Sequence, residues 1–394
     1  MRDKNSIRVA WLFPWLSQGN YWHPVLSKFT KVFQATNIYT GCWTGFTQGY
    51  EGTFNVELVG KVKRLEVGES AQGYKSGFDF LSPAIIRHLF TFKPQIIFTS
   101  AFSLWSLFVA LLKPLFGWRV VVVYDGSSPT IDASESKIRL FVRRIIAYFA
   151  DAFVTNNQLG KQYLVNTLKA KKNTVFAQPY QVPDITALSV NKPIELGELG
   201  ELEELEKNNL KNHTKTFLFV GQIIPRKGIN FLLEACSLLR QQGYDDYTVI
   251  IVGEGSQRNE LEKYSQEYSL QNHVQWIGSV DYSHLSSYFH KADVFILPTL
   301  EDVWGMVILE AMAFGKPILS SKWAGASELI IDGDNGYVFE PHNPEEIAER
   351  MKYFIDNPHA IVSMGLRSQE IISQHTPETA SEFLIKVANN VLIK

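Results

Sequence analysis

Pro298-Thr-Leu-Glu-Asp-Val-Trp-Gly-Met-Val-Ile-Leu-Glu-Ala-Met-Ala-Phe-Gly-Lys-Pro317 decides how the second half of this chain folds. Ahead of it, Ala292-Asp-Val-Phe-Ile-Leu-Pro298 is a short apolar run ended by proline, the pattern of a buried parallel strand. After it, Lys316-Pro-Ile-Leu-Ser320 reads as the next strand. A strand, a loop and a helix N-terminus in that order aim backbone N–H groups at an anion. Asp302 stands in the loop, and Glu310 follows after seven intervening residues, in the first turns of the helix. Acids at both ends of such a pocket do not suit a bare phosphate; they suit a ligand that also presents hydroxyl groups. Asp302 alone has an ordinary explanation, because acids near helix starts favour the helix dipole. Glu310 is harder to explain that way, flanked as it is by Leu309, Ala311 and Met312. A carboxylate in apolar company is usually paired or ligand-facing.

Working outward, 394 residues are too many for one core, and two domains are the natural expectation. Hydrophobic residues at 45% and charged residues at 20% describe a globular chain. Cys42 and Cys236 lie far apart without metal-ligand spacing and suit a reducing compartment. The first residues hold no apolar core of signal-peptide length, so the expected location is cytoplasmic, at most peripheral to the inner face of a membrane.

The net charge of −2 conceals an asymmetry. Residues 1–180 hold 21 Lys and Arg against 10 Asp and Glu, a formal +11, and the remainder carries −13. The basic half therefore expects an anionic partner, a membrane surface or a diphosphate-linked acceptor. With no nucleic-acid module in the sequence, no nucleic-acid partner is expected. Phe98 to Trp118 is mostly apolar, but Lys113-Pro114 interrupts it before the ~20 residues a membrane span needs, and it reads as a buried helix. Lys137 to Phe149 alternates basic and apolar residues at helical spacing. It fits equally a helix on an anionic membrane surface and a packed helix with a basic outer face.

The strand-then-helix rhythm runs through both halves. Ile7–Phe13, Gln95–Thr99, Arg119–Tyr124 and Ala152–Thr155 read as strands in the first, with Pro24–Phe33 as a helix. Thr216–Val220, Tyr247–Val252, Val274–Ile277, Val294–Leu297 and Pro317–Ser320 read as strands in the second. Such alternation predicts an α/β class with two parallel, Rossmann-like sheets. The expected division is 1–190 for the first domain, 191–215 for an acidic linker or surface insertion, and 216–377 for the second domain. A last helix is expected over 378–394.

Gly221-Gln-Ile-Ile-Pro-Arg-Lys-Gly228 follows a strand and precedes the helical run Ile229–Leu239. Its glycines permit close backbone approach, and Arg226 and Lys227 neutralise anionic charge. Together with Asp302, Trp304, Gly305, Glu310, Ala311, Gly315 and Pro317, this loop resembles the donor site of the retaining family-four (group 1) glycosyltransferases. The resemblance implies the GT-B fold, two Rossmann-like domains with parallel sheets facing across a cleft, and a last helix crossing back to the first domain. It implies transfer of a sugar from a nucleotide-diphosphate sugar to a hydroxyl acceptor, a glycan or lipid-linked glycan in polysaccharide synthesis, with no essential metal or other cofactor.

The same resemblance implies roles for single residues. Lys227 and Arg226 meet the diphosphate, Asp302 the sugar hydroxyls and Glu310 the ribose. Gly19, Gly221, Gly253, Glu254, Gly278, Trp304, Gly305, Met306 and Val307 line the donor, with Tyr21, His23 and Asp125 on the acceptor side. Two positions depart from the family pattern beyond the Asp302 exchange for Glu. Gln222 stands where many relatives have arginine, and Asp125 where many have a histidine. Asp332-Gly-Asp334 resembles a metal-binding Asp-x-Asp, but its setting reads as a turn between strand-like segments. An epimerase or hydrolase on the same fold, and a sugar-nucleotide binder without turnover, remain the alternatives.

Overall fold

The computed structural model describes residues 6–16, 21–69, 75–128, 132, 136–185 and 214–393. The acidic run expected as a linker and the expected donor residue Gly19 lie outside these residues. Two units emerge: one takes in the chain through Ser70, Lys75–Asp184 and His375–Lys394, the other Ile185–Gln374.

The first unit is built on strands β1 (Val9–Phe13), β2 (Thr36–Thr40), β3 (Asn55–Leu58), β6 (Ile96–Ser100), β7 (Arg119–Val123), β8 (Ala152–Thr155) and β9 (Val175–Ala177). Their order in the sheet is β3-β2-β1-β6-β7-β8-β9, all parallel. Four consecutive valines make β7 a strand buried on both faces, where β-branched side chains pack best. A separate antiparallel hairpin joins β4 (Lys63–Glu69) to β5 (Lys75–Phe80). Helices α1 (Trp22–Val32), α2 (Ile85–Phe92), α3 (Leu104–Phe116), α4 (Lys137–Phe149) and α5 (Gln158–Gln162) cover the faces.

Two expectations change here. Helix α1 starts at Trp22, ahead of Pro24, so His23 is helical. Phe98–Trp118 is a strand end followed by α3, and that helix is only half buried. Ser103 caps its start and Gly117 its end; Trp105, Val109 and Ala110 face inward, but Leu115 on the other side is 78% exposed. One face suffices to pack on the sheet, and the apolar excess is left outside. Helix α4 behaves alike: Ile146 and Ala147 are buried, while Ile138 (78%), Phe141 (64%) and Tyr148 (83%) are exposed among its basic residues.

The second unit holds β10 (Lys215–Val220), β11 (Tyr247–Val252), β12 (Val274–Gly278), β13 (Val294–Leu297), β14 (Ile318–Ser321) and β15 (Gly336–Phe339). They form a parallel sheet in the order β12-β11-β10-β13-β14-β15. Helices α6 (Ile229–Gln241), α7 (Arg258–Glu267), α8 (Tyr282–Lys291), α9 (Met306–Ala313), α10 (Pro344–Asp356) and α11 (His359–Ser373) connect them. The last helix, α12 (Pro377–Ile393), belongs to the first unit, where it packs on α1 and Glu378 pairs with Lys28. No helix among the described residues is long and apolar enough to cross a membrane.

Candidate functional site

Strand order in the second sheet reverses between β10 and β13, which pair Phe217 with Val294 and Leu218 with Phe295. At such a switch point the loops leaving the two carboxyl ends diverge and open a crevice, the usual ligand position in open α/β sheets. Both sequence motifs emerge there. The loop after β10 turns through Pro225–Lys227 and ends at Gly228, whose φ is +65°. A Cβ on Gly228 would lie 2.2 Å from the Pro298 carbonyl oxygen, so the two loops close on each other only over glycine. The Arg226 carbonyl accepts from the Leu300 N–H (2.7 Å) and from the Thr299 hydroxyl (2.9 Å), fixing the register of the contact.

This seam brings Lys227 and Asp302 together. Lys227 is 6% exposed, and its Nζ donates to Asp302 Oδ2 at 2.5 Å. Arg226 Nη1 lies 3.9 Å from the same oxygen and donates to the Glu301 carbonyl at 3.3 Å. Burial alone would raise the Asp302 carboxyl. The Lys227 ammonium, the Arg226 guanidinium and the Trp304 N–H outweigh it and hold the acid below the usual carboxylate range. The Trp304 N–H is therefore spent on Asp302. The donors left at the start of α9 are those of its first turn, Met306 and Val307, which have no intrahelical acceptor. Gly305 caps this helix with a φ of +88°, and the Trp304 side chain is buried.

Glu310 is buried in α9, and its Oε1 accepts from the Tyr282 hydroxyl at 3.0 Å. Tyr282 opens α8, after the Gly278 turn, and no local pattern singles it out in the sequence. Glu254 is exposed and pairs with Arg258. Gly253 is a packing position: a Cβ there would sit 1.8 Å from the Gly221 carbonyl oxygen. Its N–H donates to the Gly278 carbonyl (2.8 Å), and Gly221 N–H donates to the Val252 carbonyl (3.0 Å), so the three glycine turns are stitched into one rim.

In the first unit Asp125, Asn156 and Tyr180 meet beyond the ends of β7, β8 and β9. The Tyr180 hydroxyl donates to Asp125 Oδ1 (2.9 Å), and Asn156 Nδ2 donates to the Asp125 carbonyl (2.8 Å). Burial raises the Asp125 carboxyl, with Tyr180 and Gln181 opposing it. Next to this set, Asp132 accepts from the Tyr124 and Ser127 hydroxyls, both at 2.5 Å, another pairing the sequence conceals.

His23 does not line a surface as expected. It is fully buried against Trp43, Phe46 and Phe54, and burial lowers its pKa. Its Nδ1 accepts the Thr47 N–H at 3.0 Å, so the neutral ring carries its proton on Nε2. Tyr21, just before the helix, is half-buried. Asp332 and Asp334 sit in a turn around Gly333. The first accepts from the Val338 N–H and the second from Arg367 Nε at 2.7 Å.

Comparisons with known proteins bear on the family and on the fold. Residues 201–371 match the family described as Glycosyl transferases group 1. An uncharacterized glycosyltransferase of Haemophilus influenzae is 26% identical over 261 residues, 63% of this chain and 70% of that protein. Another, of Methanocaldococcus jannaschii, is 28% identical over 153 residues, 39% of this chain and 42% of that protein. HepE of Anabaena, solved in complex with UDP, superposes with a TM-score of 0.72 at 18% identity, covering 98% of this chain and 100% of that one. Sucrose-phosphate synthase of Thermosynechococcus elongatus gives 0.70 at 17% identity, covering 98% and 99%. At these identities the likeness to solved structures speaks for the fold, which is GT-B. Residues 201–371 are thus similar to the group 1 glycosyl transferases, a family of glycosyltransferase enzymes.

Proposed function

We propose that this chain moves a hexosyl group from a nucleoside-diphosphate sugar to an acceptor hydroxyl with retention of anomeric configuration, in the assembly of a cell-surface glycan. The observation that carries the reading is the buried Lys227–Asp302 pair at the β10/β13 switch point. A cation with so little solvent exposure, beside the unpaired first-turn N–H groups of α9, is a receptor for a diphosphate. That HepE was solved with UDP, and in another structure with UDP-glucose, supports the same class of donor here.

The donor exchanges one partner for another. Its diphosphate takes over the Lys227 ammonium, with Arg226 beside it, and Asp302 is released to accept hydrogen bonds from the sugar hydroxyls. Glu310, already an acceptor for Tyr282, holds the ribose hydroxyls. The bond from the anomeric carbon to the phosphate oxygen breaks as the acceptor oxygen adds on the same face. The acceptor proton passes to the departing phosphate oxygen, which balances charge without a protein nucleophile. Charge on the leaving group is met by Lys227 and Arg226, so turnover needs no divalent cation. The basic first half meets an acceptor carried on lipid at an anionic membrane surface.

The test is a panel of UDP- and GDP-sugars with candidate acceptors, scored by nucleoside-diphosphate release with and without a chelator, and by NMR of the new anomeric centre. Acceptor-dependent release and retained configuration are expected. Release without acceptor, or an inverted product, would sink the reading.

A further inference from the structure

The sheet of the first unit has a switch point of its own. β1 and β6 are neighbours, and the chain departs from them toward opposite edges. Outside their carboxyl ends lies a pocket of about 680 Å³, walled by the residues after β1, the turn after β6, the end of β5 and helix α4. Ala101 in that turn holds a φ of +48°, a conformation that costs a non-glycine residue and that concentrates at binding sites.

The chemistry of the walls selects the ligand. Trp15, Phe80, Leu104, Leu107, Ile138 and Val142 face the space. Its polar side chains are mostly engaged, Asp79 Oδ1 being the exception, with no hydrogen-bond donor among the described residues and Arg64 Nη1 nearby at 3.7 Å. Asp79 accepts from Trp15 Nε1 at 3.2 Å, Ser103 caps α3, and Arg143 Nη1 donates to the Asp132 carbonyl and the Tyr163 hydroxyl, each at 2.8 Å. A hydroxyl-rich sugar would find few partners along these walls, whereas hydrocarbon gains from covering their apolar side chains. The elements that wall the pocket also expose apolar side chains: Leu65 and Phe80 on the hairpin, Phe141 on α4, Leu111 on α3. Arg139 and Arg143 of α4 line the pocket together with Ile138 and Val142, supplying positive charge beside the apolar walls.

We infer that this pocket receives the hydrocarbon chain of a lipid-linked acceptor, with the lipid's phosphate held against the basic face of α4. The inference deepens the transferase reading and rests on it for the word acceptor.

The full chain is titrated with inorganic phosphate, geranyl phosphate and farnesyl phosphate below their aggregation limits, following Trp15 fluorescence against Trp15→Phe. Farnesyl phosphate should bind about tenfold or more tighter than geranyl phosphate, since each buried methylene contributes severalfold, and inorganic phosphate should bind weakest. Filling the pocket with Val142→Trp, or separately Leu107→Trp, should remove that chain-length dependence while UDP affinity and the thermal midpoint stay near those of the parent. Equal affinity for the three probes overturns the inference. So does chain-length dependence that survives both filled variants and vanishes in Phe141→Glu/Tyr148→Glu, because the outer face then holds the chain. A dimer in light scattering that Val142→Trp dissociates would assign the pocket to a second copy and overturn it too. UDP binding without lipid-phosphate binding leaves the donor reading standing alone; the reverse result sinks the donor reading and keeps the pocket.

Discussion

Three side chains at the β10/β13 switch point carry the sharpest expectations. Glu310→Gln keeps the shape and removes the charge, so donor affinity should fall by about 1.5–3 kcal/mol, the worth of a charge-assisted hydrogen bond. Calorimetric titration with UDP reads it, and an unchanged affinity would remove Glu310 from the donor site. Lys227→Ala should lower turnover more than Arg226→Ala, because Lys227 is the buried cation and makes the 2.5 Å contact. It should also destabilise the fold by about 1–3 kcal/mol, since Asp302 loses its nearest cation and keeps only the more distant Arg226 and the Trp304 N–H. The same pair sets a pH dependence. The Asp302 pKa is lowered on folding, so its contribution is present above the ordinary carboxylate range and is lost as pH falls through its depressed value. Denaturant titrations should show Asp302→Asn with a shallower acid loss than the parent; parallel curves would refute the linkage. Glu310 was legible in sequence because a carboxylate among Leu309, Ala311 and Met312 demands a reason. Tyr282, which bonds it, was not: only the fold brings a residue 28 positions away to its side.

At the scale of elements, glycine turns and half-buried helices matter most. Gly253→Ala should cost about 1–3 kcal/mol in a denaturant melt, because its Cβ would meet the Gly221 carbonyl oxygen at 1.8 Å and the backbone must shift. A neutral substitution would mean the rim is looser than the structure shows. Helix α4 is the element for the membrane test. Ile138→Glu/Phe141→Glu should abolish salt-sensitive co-sedimentation with anionic vesicles, to which each basic side chain near the surface contributes on the order of 1 kcal/mol. Vesicle binding equal to the parent's would assign the contact elsewhere. Basic and apolar residues at helical spacing announced α4, yet they left its outward face undecided. Packing on the sheet settled that by taking Ile146 and Ala147 inward and leaving Ile138, Phe141 and Tyr148 outside.

For the whole molecule, a bound donor stabilises the unit that holds it. UDP at ~100 times its dissociation constant should stabilise the second unit by about 2.7 kcal/mol and raise its unfolding midpoint, leaving a transition of the first unit in place. Differential scanning calorimetry reads both, and a shift confined to the first unit would move the donor site there. The division into two parallel α/β units was written in the sequence, since fully buried strands must be continuous apolar runs and each run is punctuated by Gly, Pro or a polar turn. So were Lys227, Asp302 and Glu310, as residue types placed just beyond strands. Periodicity is local, however, and strand order is not. That β13 lies beside β10, that Lys227 reaches Asp302 across 75 positions, and that His23 is sealed among aromatic rings depend on which strands pair and which faces meet. Those choices are made by long-range burial, which only the tertiary structure records.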